Sequence, residues 1–280
     1  MKLQGTVNAV FILGVAAGLT EIASGVCIVR NTPETKVYRY QCFRSNNYLA
    51  DLTAAPIDVP KISFTNARIQ YLRNKSFARF GPGLKSVQIN YSELGEIEDS
   101  PFEGLVELRS LLITGCNLQI VKGTWFEGLS KLDTIILDHN EIKSVESSFF
   151  KIVQPLKSLD LSFNQISCIP VASIYGFRTQ SFHLEGNHLA WACLAQLLDW
   201  FKKNNIKHDF AAIGPFPPME PLINMCVERH PSYKLDETGL EKCIRKKLMD
   251  FFPPGDNYTV EQACRFLTDK PSPFLNCFDI

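Results

Sequence analysis

An apolar pattern that recurs every 23–25 residues dominates the middle of this 280-residue chain. The first position is apolar in the first five copies, and the fourth, sixth and eleventh positions are apolar in all six. The fourth positions hold Ile62, Val87, Leu111, Ile135, Leu159 and Phe182. The sixth positions hold Phe64, Ile89, Ile113, Leu137, Leu161 and Leu184. A period of this length indicates one strand-and-return unit per copy, and such a unit buries its apolar side only by stacking on its neighbours. The sequence therefore predicts a solenoid over residues 57–190.

Two copies resemble the leucine-rich repeat almost residue for residue, LDTIILDHNEI (132–142) and LKSLDLSFNQI (156–166). The position that this family uses for a ladder of asparagines holds Ala67, Ser92, Cys116, Asn140, Asn164 and Asn187. A buried asparagine needs hydrogen-bond partners, and in such a ladder its amide bonds the backbone of the adjacent turn. The resemblance implies an α/β-type repeat solenoid, a leucine-rich repeat horseshoe of about six 24-residue repeats with disulfide-containing caps at both ends.

The first residues predict a secretory signal peptide over residues 1–25. Lys2 precedes an apolar run from Val7 to Leu19, and small residues at 23–25 offer a cleavage site. Glu21 ends the run too early for a membrane anchor, which needs about 20 apolar residues. We therefore expect the mature protein to be secreted and extracellular, without stable membrane insertion.

Nine cysteines suit an extracellular protein, because disulfides persist outside the cell. Cys27 and Cys42 enclose a strand pattern, which predicts a disulfide-linked hairpin within an N-terminal cap (residues 26–56) that covers the open edge of the first repeat strand. Cys116 falls on the ladder position, so we expect it to be a buried free thiol. The other cysteines are expected to form disulfides, with their connectivity left open, and are Cys168, Cys193, Cys226, Cys243, Cys264 and Cys277.

Residues 191–250 resemble the cysteine-containing C-terminal cap of extracellular leucine-rich repeat proteins. Leu194, Leu197 and Phe201 are spaced to form an amphipathic helix over the last repeat. Trp191 stands where that cap usually has its first cysteine, so the usual two-bridge pattern is not carried over. Residues 251–280 are interpreted as an extension of the cap. An inter-chain disulfide through Cys277 and the oligomeric state both remain open.

The third, fifth and seventh positions of each repeat are expected to face the concave side, because side chains alternate along a strand. Most of these residues are small and polar. The candidate binding residues on this face are Leu112, Ile136, Asp138, Asp160, His183 and Glu185. Leu112 and Ile136 are predicted to be exposed and adjacent. They are either a binding hot spot or ordinary surface apolar residues.

Asp160 and His183 occupy the same position on adjacent strands, which predicts side chains about 5 Å apart. With Ser162 nearby, a nucleophile, base and acid could be assembled. However, an open sheet offers neither an oxyanion hole nor exclusion of water, and nothing makes these residues converge on a metal. A charge pair or a pH-sensitive part of a binding surface is favoured. We therefore expect no enzymatic activity, no cofactor and no metal site.

The balance of charged residues and the glycosylation sequons indicate which kind of partner to expect and where it would bind. Lys+Arg and Asp+Glu number 29 each, which argues against nucleic acid as the partner. Glycosylation sequons begin at Asn74, Asn90 and Asn257. A glycan on Asn90 would block the N-terminal part of the concave face and shift ligand contacts toward repeats three to six.

Together these features resemble the short secreted leucine-rich repeat proteins of insects, most of all the leucine-rich repeat immune proteins of mosquitoes. The resemblance implies non-enzymatic recognition of pathogens or stabilisation of complement-like factors. Longer members assemble through a C-terminal coiled coil, which is not carried over because residues after 250 show no heptads. The leading hypothesis is a secreted recognition module of innate immunity that binds an extracellular protein. The alternative is a secreted ligand or decoy that modulates a cell-surface receptor in development or adhesion.

Overall fold

The computed structural model describes residues 25–32, 37–153, 155–208 and 219–249. The strands within these ranges are β1 (Val26–Thr32), β2 (Val37–Phe43), β3 (Lys61–Thr65), β4 (Arg68–Leu72), β5 (Ser86–Asn90), β6 (Glu93–Ile97), β7 (Ser110–Thr114), β8 (Ile120–Val121), β9 (Thr134–Ile136), β10 (Ser144–Val145), β11 (Leu156–Asp160) and β12 (Thr179–His183). The α-helices are α1 (Tyr48–Ala54), α2 (Ser147–Ile152), α3 (Trp191–Asn204), α4 (Met219–Arg229) and α5 (Glu237–Met249). Short 3-10 helices lie at Ala78–Phe80, Gly123–Phe126, Val171–Ile174 and Pro231–Leu235.

One sheet of eight strands runs through the molecule in the order β1-β2-β3-β5-β7-β9-β11-β12. β1 pairs antiparallel with β2, and every later pair is parallel. The strands from β3 onward come from six successive repeats. Two small parallel sheets, β4–β6 and β8–β10, form farther along the repeats. The predicted leucine-rich repeat solenoid is therefore confirmed.

The core of the solenoid contains a file of aromatic rings behind the sheet, in two groups of contacting rings. Phe77 stacks on Phe102 at a centroid distance of 5.7 Å, and Phe126 meets Phe149 at 5.0 Å. At the far end Phe182 contacts Phe201 of α3 at 5.8 Å. Such pairs contribute about 0.5–1.5 kcal/mol each beyond the burial of their area. The file therefore couples the last repeat to the C-terminal cap.

The hydrogen-bonded ladder includes residues of other types besides the three asparagines. Asn140 Oδ1 accepts hydrogen bonds from the N–H groups of Cys116 (2.8 Å) and Leu118 (3.3 Å), while its Nδ2 donates to three carbonyls. One repeat earlier, the Cys116 thiol donates to the carbonyl of Ile89. In the second repeat, Ser92 Oγ accepts from the N–H of Ala67 at 3.0 Å. Serine and cysteine thus continue, with fewer bonds, the role that asparagine has in later turns.

The Cys116 thiol is free, and its residue is fully buried. Burial raises the pKa of this thiol to about 11, so the thiolate that would react with oxidants or disulfides is scarce at neutral pH. The single S–H proton of Cys116 is shared between the carbonyls of Ile89 and Thr114, which both lie within hydrogen-bond distance of the sulfur. These observations support a structural role for Cys116.

The N-terminal cap is a hairpin joined by the Cys27–Cys42 disulfide, the pair that the sequence predicts. β2 continues the sheet by pairing with β3, with Tyr40 opposite Ile62. β1 extends to Thr32, which pairs with Val37 of β2. The hairpin therefore covers the edge of β3 that would otherwise be free.

The C-terminal cap is held by two disulfides and one carboxylate. Cys168 in the fifth repeat bonds Cys193 in α3, and Cys226 bonds Cys243 between α4 and α5. The N-cap residue of α3, Ala190, offers no side-chain acceptor. Glu237 at the start of α5 supplies it instead, accepting from the N–H groups of Trp191 and Ala192 at 2.7 Å each. A carboxylate at a helix N-terminus is favourable electrostatically.

The C-terminal extension, with Cys264, Cys277 and Asn257, lies outside the described residues, as does the predicted signal peptide apart from Gly25. In the described ranges no helix has both the length and the apolar character needed to cross a bilayer.

Candidate functional site

The concave face of the sheet consists of three rows of side chains that cross the six repeat strands. The central row, formed by the fifth position of each repeat, is aligned by direct strand pairing. It runs in the order Ser63, Gln88, Leu112, Ile136, Asp160 and His183. The seventh positions form a second row that ends in Asp138, Ser162 and Glu185. The six predicted binding residues therefore all belong to these two neighbouring rows.

Leu112 and Ile136 lie directly opposite each other on β7 and β9, as predicted. They are half-buried and not exposed, however, which corrects that part of the expectation. The concave side of a curved sheet brings neighbouring side chains together, and Gln88 and Asp160 flank the pair in the same row. Part of the apolar area is thus already covered, and the remainder forms a small apolar centre on a polar face.

Asp138 anchors the acidic side of this face. Its Oδ1 accepts a hydrogen bond from Thr114 Oγ1 at 2.7 Å, and its Oδ2 lies 2.7 Å from Nδ1 of His139. The imidazole of His139 also stacks on Phe163, with centroids 4.5 Å apart and planes inclined by 21°. The carboxylate of Asp138 is therefore held at a defined position next to the apolar centre.

Asp160 and His183 are paired across β11 and β12, as predicted. The hydroxyl of Ser162 donates to Asp160 Oδ1 at 2.6 Å, and the N–H of Ser162 donates to the same oxygen at 2.9 Å. Ser162, expected to point outward, is buried because of these two bonds. A serine nucleophile needs its hydroxyl on the histidine, so this geometry does not form a catalytic triad.

The acidic residues and His183 of the concave face are not grouped closely enough to share one metal ion. Within the described ranges, the one group of three ligand-type atoms close enough to share an ion is Cys27, Cys42 and Asp51. Both sulfurs belong to a disulfide and are not available as thiolate ligands. Asp160, His183 and Glu185 do not come together in this way.

Ion pairs line the opposite edge of the sheet, near the starts of the strands. Lys157 Nζ lies 2.7 Å from Asp133 Oδ2, and Lys131 pairs with Glu107. Burial raises the pKa of Asp133, but hydrogen bonds from Lys157 and Thr134 outweigh it, so the pKa lies below its usual value. The hydrogen bond from Lys131 likewise lowers the pKa of Glu107. This edge carries charges of both signs, whereas Asp138, Asp160 and Glu185 make the other side acidic.

An aromatic rim borders the acidic side, and the repeat pattern alone did not predict it. We define it as Tyr91, His139 and Phe163, the eighth residues of their repeats, all with φ near +50°. Tyr91 is 65% exposed and Phe163 40%. Bulky residues rarely adopt this left-handed backbone, and when they do the position is often functional.

The neighbouring repeats leave room for these rings because the same position there holds glycine. A Cβ on Gly115 would lie 2.7 Å from Cδ1 of Tyr91, and one on Gly186 would lie 2.5 Å from Cδ1 of Phe163. Asn66, Gly115 and Gly186 also have positive φ at the eighth position. The sequence therefore did carry a signal for the rim: the eighth position holds Asn or Gly in three repeats and an aromatic residue in the other three.

The sequons on the described residues occupy different environments. Asn74 is exposed in a turn after β4, and its N–H donates to Glu98 Oε2. Asn90 is half-buried on β5 between Thr65 and Thr114. Glycosylation at both remains a prediction, with Asn74 the more accessible acceptor.

The family model for leucine rich repeats matches residues 82–142 and 130–189, which contain the second to sixth repeats. Curated proteins give no match. The fold matches 211 chains of solved structures, so it is too widely shared to specify a ligand. One is the crystal structure of a TLR13–ssRNA13 complex, with 27% identity and a TM-score of 0.50, covering 54% of this chain and 22% of that one. The chain thus spans about a fifth of that structure's length. Fold and family match together identify residues 82–189 as leucine-rich repeats.

Proposed function

We propose that this chain is a secreted, non-enzymatic recognition module of innate immunity that binds an extracellular protein through the concave face of repeats three to six. The observation that carries the proposal is the juxtaposition of Leu112 and Ile136 on adjacent strands, bordered by Asp138 and Asp160. An apolar centre with a charged surround is the usual arrangement of a protein-binding hot spot. The acidic residues would then govern association rate and dependence on salt.

Further observations support the proposal. The disulfides and the leader-like N-terminus suit an extracellular chain. The resemblance to insect immune proteins, and the likeness to a structure of TLR13, favour a recognition role over the receptor-ligand alternative. That structure is titled as a complex with ssRNA13, but the acidic side of the present face would repel a phosphate backbone.

The test compares a double variant, Leu112→Lys with Ile136→Lys, with the wild-type secreted protein in capture of a partner from extracellular fluid. We expect loss of at least ten-fold in capture with unchanged secretion, because neither residue faces the core. The matched control is Val106→Lys with Ile152→Lys, two exposed aliphatic residues outside the sheet. If the double variant captures as well as the control, while truncation after Lys247 abolishes capture, the interface is the C-terminal extension. Induction of the transcript by infection would separate an immune role from a developmental one.

A further inference from the structure

The N-terminal end of the concave face carries a cluster of cations that the recognition surface described above does not use. Arg39 lies on β2 and Lys61 on β3, and Arg30 on β1 is directly opposite Arg39. All three point to the concave side, since Tyr40 and Cys42, which alternate with Arg39, are buried in the core. Neither Arg39 nor Lys61 forms an ion pair or a side-chain hydrogen bond with another residue that the structure describes.

Three buried polar atoms in the same place have no hydrogen-bond partner within the described part of the chain. They are Arg39 Nε, Gln41 Oε1 and Ser63 Oγ. Gln41 is paired directly with Ser63 across β2 and β3, and Arg39 is two residues away on the same face. Ser63 is only 3% exposed. Strand spacing of about 4.8 Å and a two-residue step of about 6.6 Å place these groups within one small patch.

The charges and polar groups of this patch are arranged unfavourably toward one another. Burial and the nearby positive charge of Arg39 both lower the pKa of Lys61. Like charges side by side and buried polar groups without partners each cost free energy, and native proteins seldom retain them without a use. A ligand that accepts hydrogen bonds and carries negative charge would relieve the like-charge repulsion and would give Arg39 Nε and Ser63 Oγ an acceptor.

We infer that Arg39, Gln41, Lys61 and Ser63 form a binding site for a carboxylate from an acidic segment of a protein partner. The guanidinium of Arg39 is suited to bidentate recognition of a planar carboxylate, Lys61 adds charge, and the hydroxyl of Ser63 donates a further bond. Gln41 contributes its amide, whose oxygen and nitrogen exchange places by a simple rotation.

The charge distribution favours a short acidic segment over a long polyanion. Asp138 and Asp160 lie on the same face, three or more strands away from Lys61, which is about 15 Å or more. A sulfated polysaccharide or a nucleic acid following the face would meet these carboxylates, whereas one or two acidic side chains would not. The inference rests on the proposed function only in taking the partner to be a protein. It adds an N-terminal contact of opposite charge to the apolar and acidic surface of repeats three to six.

The experiment uses the full-length secreted protein and a defined probe, an N-acetylated tetraglutamate amide, in calorimetric or NMR titration. We expect saturable one-to-one binding that weakens at least ten-fold in Arg39→Gln and in Lys61→Gln. The matched control is Lys85→Gln, an exposed lysine of the second repeat, which should leave binding unchanged. Lys61→Arg should retain binding, since it keeps the charge. In the free protein neither glutamine variant should lower Tm, because each relieves like-charge repulsion.

Each other outcome overturns the inference. Absence of tetraglutamate binding, or equal weakening by Lys85→Gln, would mean that no built site exists. Binding of a heparin fragment or an oligonucleotide that depends on Arg39 and Lys61, without tetraglutamate binding, would assign the site to a polyanion and refute the protein carboxylate. If Arg39→Gln is not secreted, the comparison of Lys61→Gln with Lys61→Arg tests the inference by itself. The titration does not involve the natural partner, so its result is independent of the Leu112 and Ile136 test.

Discussion

Leu137→Asp should abolish folding and secretion, whereas Thr134→Asp, three residues earlier, should leave both intact. Leu137 is fully buried, and its carbonyl accepts hydrogen bonds from the ladder amides of Asn140 and Asn164. An unpaired carboxylate at such a site costs several kcal/mol, which is comparable with the total stability of about 5–15 kcal/mol of most domains. Thr134 is half-buried on the concave side, where a polar substitution costs about 0.5–1 kcal/mol.

The measurement is the yield of each variant in the culture medium, followed by thermal unfolding of whatever is secreted. The two substitutions introduce the same side chain, so a difference between them reports orientation and not chemistry. Equal secretion of both variants would mean that the assignment of core and concave positions in the fourth repeat is incorrect.

Asn164→Ala should lower the free energy of unfolding by about 3 kcal/mol. The side chain is 3% exposed, accepts from the N–H of Ile142 at 3.0 Å and donates to the carbonyls of Leu137, Leu161 and Ser162. A buried polar group left without a partner costs about 1–3 kcal/mol. The carbonyls of Leu137 and Leu161 keep a second donor from Asn140 and Asn187, which is why the expected loss stays below the sum of four bonds.

Urea unfolding followed by circular dichroism gives this difference, with Asn224→Ala as the control because Asn224 is exposed on α4. We expect the control to change stability by about 0.5 kcal/mol or less. If Asn164→Ala also lowers the slope of the transition, the repeats unfold in separate blocks, since stacked repeats contact only their neighbours. A change no larger than that of Asn224→Ala would contradict a ladder that stabilises the fold.

The sequence was sufficient where structure follows from local alternation or period. The inward strand positions, such as Ile135 and Leu159, and the ladder asparagines are of this kind, because each depends on a pattern within one repeat. The sequence was insufficient where the structure depends on how adjacent turns stack on one another. Ser92 and Cys116 join the ladder only because adjacent turns stack closely enough for short side chains to reach the backbone.

The candidate site shows the same division. Pairing of Leu112 with Ile136 and of Asp160 with His183 follows from a common repeat length, and both are found. The partial burial of the aliphatic pair and the burial of Ser162 depend on curvature and on a local hydrogen bond, which the period does not specify.

Disulfide partners in the C-terminal cap were likewise undetermined by sequence. Many connectivities are open to six cysteines, and the bond between Cys168 and Cys193 depends on where α3 docks against the fifth repeat. The rim aromatics were missed because residues such as Phe163 seldom have positive φ.

Hydroxyl-radical footprinting of the wild-type protein, alone and bound to the partner it captures, tests the central claim most directly. If the concave face of repeats three to six is the interface, the partner should protect Leu112 and Ile136, together with the exposed ring of Phe163 in the fifth repeat. Tyr175, which is 90% exposed and directly follows the 3-10 helix Val171–Ile174, should react equally in both states. Protection confined to the C-terminal cap or to residues after 250, with Leu112 and Ile136 unchanged, would contradict recognition through the concave face.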